Sequence, residues 1–328
     1  MKFAKKYLEF VKDRHNEELP VVHLKKLKKI LKNCEIKDQI IISKEEHGSV
    51  PCDCLQHCSE CDETFFPSLL KDMFEVVYFF NQSAQKLLES HLASGFRKYI
   101  LFIKNKFLSG SQVNLMKEGN DLLTYATINA VAIRKILKKY DKVHCSMKGQ
   151  KFRLEAQVKD LDLLKSPWLF ELMAFHINLR ENKDETKDSF PVLFDCLLHM
   201  DGEKPHLLVT LFSSISLNLD LTCPVCLETV FDPISLSCSH IFCYMCACSV
   251  ASVTTVDGLK NADPKSKCPI CRQLGVFKGA VHLDELSMLL SRSLPEYWEE
   301  RFQRERKERL KQAKEHWESQ CRAFMGYQ

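Results

Sequence analysis

The sequence predicts a mainly α-helical N-terminal domain, a long helical hairpin with flanking helices, followed by a small zinc-braced α+β module and a C-terminal amphipathic helix. Apolar residues recur at helical spacing over two long segments between residues 1 and 180. Closely spaced cysteines with one histidine crowd residues 223–272. The tail from Pro295 to about Phe324 is charged, with apolar residues near one stripe. These three observations predict the three parts of the chain in order: the helical domain, the cysteine-rich module and the C-terminal helix.

The bulk composition limits where the chain works and what it binds. Its 328 residues suffice for two or three domains, and its formal net charge of +4 does not by itself demand nucleic acid. No apolar run reaches the length of a membrane span, and the charged start "MKFAKKYLEF" lacks an apolar signal core. We therefore expect a location in the cytoplasm and nucleus, where 16 cysteines indicate metal binding rather than disulfides.

Two long helices are predicted in the first domain. The first has Pro67 in its first turn and runs to about Phe107, and the second runs from about Gln112 to Tyr140. The short connection "LSGSQ" predicts that they form an antiparallel hairpin. Shorter flanking helices are expected at the following ranges: 2–14, 20–34, 151–165 and 167–180.

The stretch "RKILKKYDK" at 134–142 gives the second long helix two unlike faces. At 100° per residue its four lysines fall within an arc of roughly 100°, opposite an apolar side. The lysines are Lys135, Lys138, Lys139 and Lys142, and the apolar residues are Ile133, Ile136, Leu137 and Tyr140. Like charges three and four apart destabilise a helix by a few tenths of a kcal/mol per pair. Taken alone, the strip is either a solvated face or an anion-binding site.

Composition divides the chain into four segments. The polar stretch "ENKDETKDSFP" at 181–191 breaks the helical pattern and ends a first domain at residues 1–180. A linker at 181–222 contains "PHLLVTLFSSISLNLDL", which has strand composition and alternates over its second half. The cysteine-rich module occupies 223–272, and a helical region occupies 273–328.

Eight soft ligands follow the pattern C-x2-C-x11-C-x-H-x2-C-x2-C-x21-C-x2-C. They are Cys223, Cys226, Cys238, His240, Cys243, Cys246, Cys268 and Cys271. Structural zinc takes four Cys or His ligands, so the octet predicts two tetrahedral Zn²⁺ sites. Closed sites leave no open coordination position, and ligating thiolates cannot act as nucleophiles. Cys248 has no place in the octet and is interpreted as a packed thiol.

This spacing resembles the RING-finger family in its C3HC4 form. The resemblance implies interleaved sites, with Cys223, Cys226, Cys243 and Cys246 on one zinc and Cys238, His240, Cys268 and Cys271 on the other. It also implies an E3 ubiquitin ligase that binds a ubiquitin-loaded E2 enzyme through Val225 and Pro269. Arg272 matches the family's linchpin, which hydrogen-bonds both ubiquitin and E2. Local packing and a solvated arginine are the alternatives, and 247–267 lacks a tryptophan that many RING fingers carry.

The N-terminal motifs resemble an SPX domain. "MKF", "HLKKLKKILKNC" and "NAVAIRKILKKYDK" occur in the order found in that helical family. The resemblance implies a basic bowl for an inositol polyphosphate or pyrophosphate. Its matching positions are Lys28, Lys135, Lys138, Lys139 and Lys142, with Lys2, Lys25 and Lys29 at the rim. Leu24 stands where the family usually has a tyrosine.

The order SPX then RING, together with "ETFFPSLLKDM", "SPWLFELMAFHINL" and "GVFKGAVHLDEL", closely resembles the plant SPX-RING E3 ubiquitin-protein ligase family of nitrogen limitation adaptation and benzoic acid hypersensitive proteins. This resemblance implies a ligase that marks phosphate transporters, and a nitrate transporter, for degradation in phosphate and nitrogen homeostasis. Its substrates would recruit it peripherally to the plasma membrane. The alternative is a non-catalytic adaptor that binds inositol polyphosphates and partner proteins.

Two further features allow more than one interpretation. "CDCLQHCSEC" at 52–61 contains Cys52, Cys54, Cys58 and Cys61, which could bind a third zinc or remain free thiols. The C-terminal helix could be solvated or could form a homodimer through an apolar stripe of Trp298, Phe302, Leu310, Ala313, Trp317 and Phe324. Nucleic acid is not expected as a partner, because the basic strips lack interleaved aromatic residues.

Overall fold

The computed structural model describes the following residues: 7, 19–42, 59–92, 109–159, 161–181, 194–201, 204–211 and 215–326. The chain divides into two compact units, Met1–Ser166 and Pro167–Gln328. Each unit is described by itself.

The first unit is helical throughout its described residues. Its elements are α1 (Leu24–Ile42), α2 (Ser59–Leu92), α3 (Ser109–Val143), α4 (Lys148–Val158) and a 3₁₀ turn at Leu163–Lys165. Ring contacts join the start of α2 to the end of α3, at Phe65 and Tyr140, and the middles of both helices, at Phe79 and Tyr125. The two helices therefore run antiparallel, which confirms the predicted hairpin, but the predicted connection is wrong because Ser109 to Gln112 of "LSGSQ" already belong to α3.

The predicted start of the first long helix is wrong. Helix α2 begins at Ser59, so Pro67 lies inside it and not in its first turn. Proline costs a helix one hydrogen bond and clashes with the preceding turn. Tertiary contacts hold that turn in place, because Asp62 accepts hydrogen bonds from the Tyr140 hydroxyl and the Lys148 ammonium group. The predicted end near Phe107 and most of the predicted helix 2–14 lie outside the described residues.

Hydrogen bonds to both long helices fix the start of α1. The Val22 amide donates to Asn129 Oδ1 of α3 at 3.1 Å, and the His23 amide donates to Asp72 Oδ2 of α2 at 2.7 Å. Tyr125 Oη donates to the Pro20 carbonyl at 2.6 Å. Residues 20–23 are thus anchored outside the helix, and the helix predicted from residue 20 begins at Leu24 instead.

The second unit combines helices with two small sheets. Its elements are α5 (Pro167–Glu181), β1 (Phe194–Asp201), β2 (Lys204–Leu211), β3 (Ile215–Asp220), β4 (Pro233–Ser235), β5 (Ile241–Cys243), α6 (Tyr244–Val250), a 3₁₀ turn at Leu259–Asn261, β6 (Val281–His282), α7 (Asp284–Ser293) and α8 (Pro295–Phe324). Strands β1, β2 and β3 form an antiparallel meander, and β4 lies between β5 and β6. No described helix is long and apolar enough to cross a membrane.

Helices α5 and α7 form the apolar core of this unit. Leu286, Leu289 and Leu290 of α7 are fully buried. At the N-terminus of α7, the Glu171 carboxylate of α5 accepts hydrogen bonds from the Glu285 amide at 2.8 Å and the Leu286 amide at 3.1 Å. It satisfies two amides that have no partner within the helix. Helix α5 matches the helix predicted at 167–180, and it packs within the second unit.

Helix α8 has the predicted bounds, and two charged residues are buried on the side that packs against the unit. Arg301 and Glu305 are the buried residues of this helix. The predicted apolar stripe divides, since Trp298 packs against Phe231 with ring centroids 4.4 Å apart and ring planes tilted by 40°. Its other large members, Phe302, Leu310, Trp317 and Phe324, are exposed.

Candidate zinc centres and lysine face

Two clusters of metal-ligating side chains stand in the second unit. One contains Cys223, Cys226, Cys243 and Cys246, and the other contains Cys238, His240, Cys268 and Cys271. Within each cluster the ligand atoms lie within 4.8 Å of one another. This is the interleaved pairing that the RING resemblance implied.

The spacing of the ligand atoms fits zinc. Tetrahedral Zn²⁺ with Zn–S bonds of about 2.3 Å requires sulfurs about 3.8 Å apart. Cys226 Sγ and Cys243 Sγ are 3.8 Å apart. His240 presents Nδ1, which is 3.4 Å from Cys238 Sγ and 3.7 Å from Cys268 Sγ. Each cluster offers four protein ligands, so the metals would brace the fold and leave no open position for substrate.

The first zinc knuckle is shaped by its backbone. The Cys223 amide donates to the Glu228 carbonyl at 2.8 Å, and the Leu227 amide donates to the Cys223 carbonyl at 2.8 Å. This tight turn puts Leu227 in the left-handed region, at φ 61°. Val225, between the two cysteines, is 41% exposed and Leu227 is 72% exposed.

The second knuckle repeats this path. The Cys268 amide donates to the Gln273 carbonyl at 3.0 Å, and the Arg272 amide donates to the Cys268 carbonyl at 2.9 Å. Arg272 therefore also has φ 61°, and it is exposed together with Pro269 and Ile270. All three residues expected to contact E2 or ubiquitin thus lie on the surfaces of the two knuckles. Leu227 and Ile270 are also exposed on the knuckles; they were not among the predicted site residues, although their positions in the C-P-x-C-x repeat could have indicated them.

Neighbouring thiols within the clusters shift one another's pKa. Burial raises the pKa of the Cys238 thiol, and hydrogen bonding to Cys223 raises the pKa of Cys243, whereas hydrogen bonding to Cys226 lowers the pKa of Cys223. Crowded thiols keep protons that a divalent metal must displace. The Phe231 amide donates to Cys243 Sγ at 3.3 Å and so stabilises that sulfur as a thiolate.

The first unit displays the lysines of the proposed anion site. Lys135, Lys138 and Lys142 are exposed on α3 and Lys139 is half-buried, while the opposite face is buried as predicted. Lys25, Lys28 and Lys29 are exposed on α1, which packs against α3. Lys2 lies outside the described residues. Convergence of these lysines on one ligand stays a prediction.

Two residues inside the motif are structural. Tyr140 is 1% exposed, and Asp141 accepts hydrogen bonds from the amides of Gly149 at 2.6 Å and Gln150 at 3.1 Å. Asp141 thereby holds the first turn of α4 against α3. A Cβ on Gly149 would lie 2.8 Å from both Asp141 Oδ1 and the Leu137 carbonyl oxygen, so glycine is needed there. This contact was not predicted from the sequence, because it joins two helices through single polar atoms.

Two further predictions concern cysteines outside the octet, of which one is confirmed and one is untested. Cys248 is 2% exposed, as expected of a packed thiol. Cys52, Cys54 and Cys58 and the side chain of Cys61 lie outside the described residues, so the third zinc stays a prediction.

Comparisons with known proteins cover the whole chain. The family model "Zinc finger, C3HC4 type (RING finger)" matches residues 223–271. "Probable E3 ubiquitin-protein ligase BAH1-like 1" of Oryza sativa subsp. indica is 57% identical over 326 residues, covering 99% of this chain and 100% of the relative. "E3 ubiquitin-protein ligase NLA" of Arabidopsis thaliana is 54% identical over 335 residues, with the same coverage. No solved structure matches.

Proposed function

Since this chain belongs to the plant NLA/BAH1-like family of RING-type E3 ubiquitin-protein ligases, we propose that it couples inositol polyphosphate sensing by an SPX domain to ubiquitination of membrane phosphate transporters. The ligase activity follows from the family. The ligand, the regulation and the substrates are the proposal, and the lysine face on α3 is the observation that carries it.

In the ligase step, the RING acts by positioning. Zinc would be held by the two interleaved clusters and would supply rigidity, because each site is closed by protein ligands. Val225 and Pro269 contact the E2, and Arg272 donates hydrogen bonds to ubiquitin and E2 at once. Their exposure on two rigid knuckles supports these roles. Holding the E2–ubiquitin thioester in one pose raises the rate at which a substrate lysine attacks it.

Self-ubiquitylation with E1, a panel of E2 enzymes and ATP tests the ligase step. We expect ubiquitin chains with at least one E2 and none with the Cys226→Ala variant, which loses a zinc ligand. A folded, zinc-loaded wild type that is inactive with every E2 would instead favour the adaptor alternative.

In the sensing step, Lys28, Lys135, Lys138, Lys139 and Lys142 bind one inositol polyphosphate or pyrophosphate, with Lys2, Lys25 and Lys29 at the rim. The exposed lysines on two packed helices support this assignment. Each ammonium group repels its neighbours, and a polyanion relieves that repulsion through charge-assisted contacts. Screening over about 8 Å at physiological ionic strength should make this binding strongly salt-dependent.

Calorimetry with inositol hexakisphosphate at low and physiological ionic strength tests the sensor. Replacing both Lys138 and Lys139 with alanine should abolish tight binding and leave the melting temperature unchanged or slightly raised. Lys117→Ala, an exposed lysine on α3 outside the motif, is the matched control. Wild-type affinity in the double variant would place the site elsewhere, and unfolding would show that the lysines are structural.

Phosphate transporters, and a nitrate transporter, are the proposed substrates of the ligase. The protein would stand in the cytoplasm and nucleus and would reach the plasma membrane by binding them. Membership of the plant family supports this assignment. Transporter levels in plant membranes should fall when the wild type is expressed and stay constant with the Cys226→Ala variant.

A homodimer through α8 is proposed because Leu310, Trp317 and Phe324 recur every seven residues and are 62%, 61% and 94% exposed. Sedimentation should show a dimer that Leu310→Glu with Trp317→Glu converts to a monomer. A monomeric wild type at micromolar concentration would exclude this dimer.

A further inference from the structure

We propose that Arg301 of α8 is a positioning residue for the first zinc cluster, donating an N–H···S hydrogen bond to the Cys226 thiolate and offsetting the charge of the metal–thiolate centre. The inference rests on zinc occupancy by the RING, which its family implies, and not on any ubiquitin-transfer step. It gives the C-terminal helix a chemical role at the metal.

The first observation is the placement of the guanidinium group. Arg301 lies 75 residues beyond Cys226 in the chain, yet its Nη2 is 3.7 Å from Cys226 Sγ. Its Nη1 donates to the Glu228 carboxylate and its Nε to Glu305 Oε1 at 3.0 Å. The residue is only 8% exposed. A guanidinium group is a planar fork of five donors, so it can serve three acceptors in different directions, which an ammonium group on a single stem cannot do as well.

The second observation is the charge that this fork meets. Four thiolates and one Zn²⁺ make a centre with a formal charge of about −2, whereas three thiolates and a neutral histidine leave about −1 at the other cluster. Of these two clusters, the more negative one is the one that Arg301 contacts. A buried anionic centre without compensation is costly, and a buried arginine is costly too unless it is paired. The buried arginine and the anionic metal–thiolate centre therefore stabilise each other.

The third observation is that the arginine is itself held in place. Glu305 is 5% exposed and also accepts from Arg309 Nη2 at 3.2 Å. Arg309 Nη2 donates to Asp232 Oδ2 at 2.6 Å. A line of alternating charges therefore runs from the Cys226 sulfur along the buried side of α8. This line of charges packs α8 against the unit beside the contact between Trp298 and Phe231.

The geometry also connects α8 to the surface on which the RING acts. Glu228 closes the first knuckle through its carbonyl and binds Arg301 through its carboxylate. The same knuckle presents Val225. Arg301 thus holds the first knuckle from the side of α8. Packing of α8 and retention of the first zinc ion are therefore linked.

The test uses the full zinc-loaded chain in three forms: wild type, Arg301→Gln and the control Arg304→Gln. Arg304 also binds Glu228, at 3.3 Å, but it is exposed and has no contact with sulfur among the described residues. Zinc transfer to a chromogenic chelator is followed over time. In Arg301→Gln one of the two zinc ions should leave about 10- to 100-fold faster, the range typical of lost partners of metal ligands. The other ion, and both ions in Arg304→Gln, should leave at the wild-type rate.

Cobalt substitution separates an electrostatic role from a merely structural one. Loss of a hydrogen bond makes a thiolate a stronger donor, so the sulfur-to-Co²⁺ charge-transfer band should move to lower energy in Arg301→Gln while the tetrahedral d–d bands stay in place. Arg301→Lys should recover part of both effects.

Wild-type release rates, or equal acceleration of both ions with an unshifted band, would overturn the proposal. Should Arg301→Gln fail to fold, Glu305→Gln, which frees the arginine from its anchor, must still accelerate one ion, and a wild-type rate there would also overturn it. None of these measurements contains E2 or ubiquitin, so an inactive ligase would leave them unaffected.

Discussion

Leu227 and Arg272 show how the knuckles govern single side chains. Both have φ 61°, a left-handed conformation that costs a residue with a side chain roughly 1–2 kcal/mol. The hydrogen bonds that close each turn offset this cost. The residue after the second cysteine therefore has a fixed backbone and an exposed side chain, which suits a group that must meet a partner.

Replacing Arg272 with alanine should slow ubiquitin discharge from the E2 by about tenfold to a hundredfold, because hydrogen bonds from a charged donor are each worth about 1.5–3 kcal/mol. Single-turnover discharge to free lysine measures the effect. Zinc content should not change, since the side chain is exposed and ligates no metal, and E2 affinity should change little, since Val225 and Pro269 carry the E2 contact. Lys278→Ala, an exposed cation in the same unit, is the control. Loss of zinc from the Arg272 variant would show that the arginine is structural.

Gly149→Ala should lower the free energy of unfolding by about 1–3 kcal/mol, because the new Cβ would overlap Asp141 Oδ1 and the Leu137 carbonyl. Glycine to alanine within a helix ordinarily stabilises by about 1 kcal/mol, so the expected sign is opposite to that of helix propensity. Urea denaturation followed by circular dichroism measures it, with Gln150→Ala as control. A stabilised variant would mean that the contact between α3 and α4 is loose.

Helix α5 illustrates an element whose role depends on its partner. Residues 171–179 are all buried, although they include the polar residues Glu171, His176 and Asn178. Asn178 Nδ2 donates to Glu285 Oε2 at 2.7 Å and its Oδ1 accepts from Arg292. Glu171 and Asn178 thus form hydrogen bonds with α7, which follows the zinc clusters in the chain. A truncated protein that begins at the first zinc ligand would lack this support.

The contribution of Glu171 to the stability of the second unit should fall as the pH rises from about 5 to 8. Burial raises the pKa of Glu171 to about 8, above its ordinary value of 4.5. Between these two values the native state keeps a proton that the unfolded chain releases, so raising the pH favours unfolding. Calorimetric melting at both ends of this range measures the trend.

Glu171→Gln should remove much of this pH dependence, whereas Glu155→Gln, an exposed glutamate, should leave it unchanged. Equal pH profiles for wild type and Glu171→Gln would contradict the assignment to Glu171.

Helix α8 shows what sequence patterns can and cannot predict. Its bounds follow from Pro295 and a run of strong helix formers, which are local signals. Its buried face does not, because Arg301 is buried against Glu228 and Cys226, which lie 73 and 75 residues away in the chain. Most large side chains of the apolar stripe are exposed, so its proposed role in a homodimer stays a prediction.

At the scale of the whole molecule, predictability follows the range of the interactions. The zinc octet and its ligand spacing could be predicted, because metal chemistry fixes residue types at short separations. The Asp141–Gly149 contact and the Glu171 cap on α7 could not, because they join helices through single polar atoms. Strand β1 was missed although Asp201-Gly202 is a hairpin signal.

Metal analysis of the full chain should find two zinc ions per chain if the octet alone binds metal. Chelation should then unfold the zinc-bearing part of the second unit, since metal binding supplies much of the folding free energy of such modules. The helices of the first unit should persist, as followed by circular dichroism. Three ions would support the cluster at 52–61, and one or none would refute the RING assignment.

The matching backbone of the two zinc knuckles has a consequence for protein engineering. Both knuckles have the same pattern: cysteine, proline, one apolar residue, cysteine, and then a residue in the left-handed backbone conformation. Main-chain hydrogen bonds and the metal set the shape of each knuckle. The exposed side chains can therefore be substituted without a change of backbone, and these are Val225, Leu227, Ile270 and Arg272. The corresponding short segment of a related ligase could replace either knuckle to change the choice of E2, while the rest of the zinc-binding module stays unchanged.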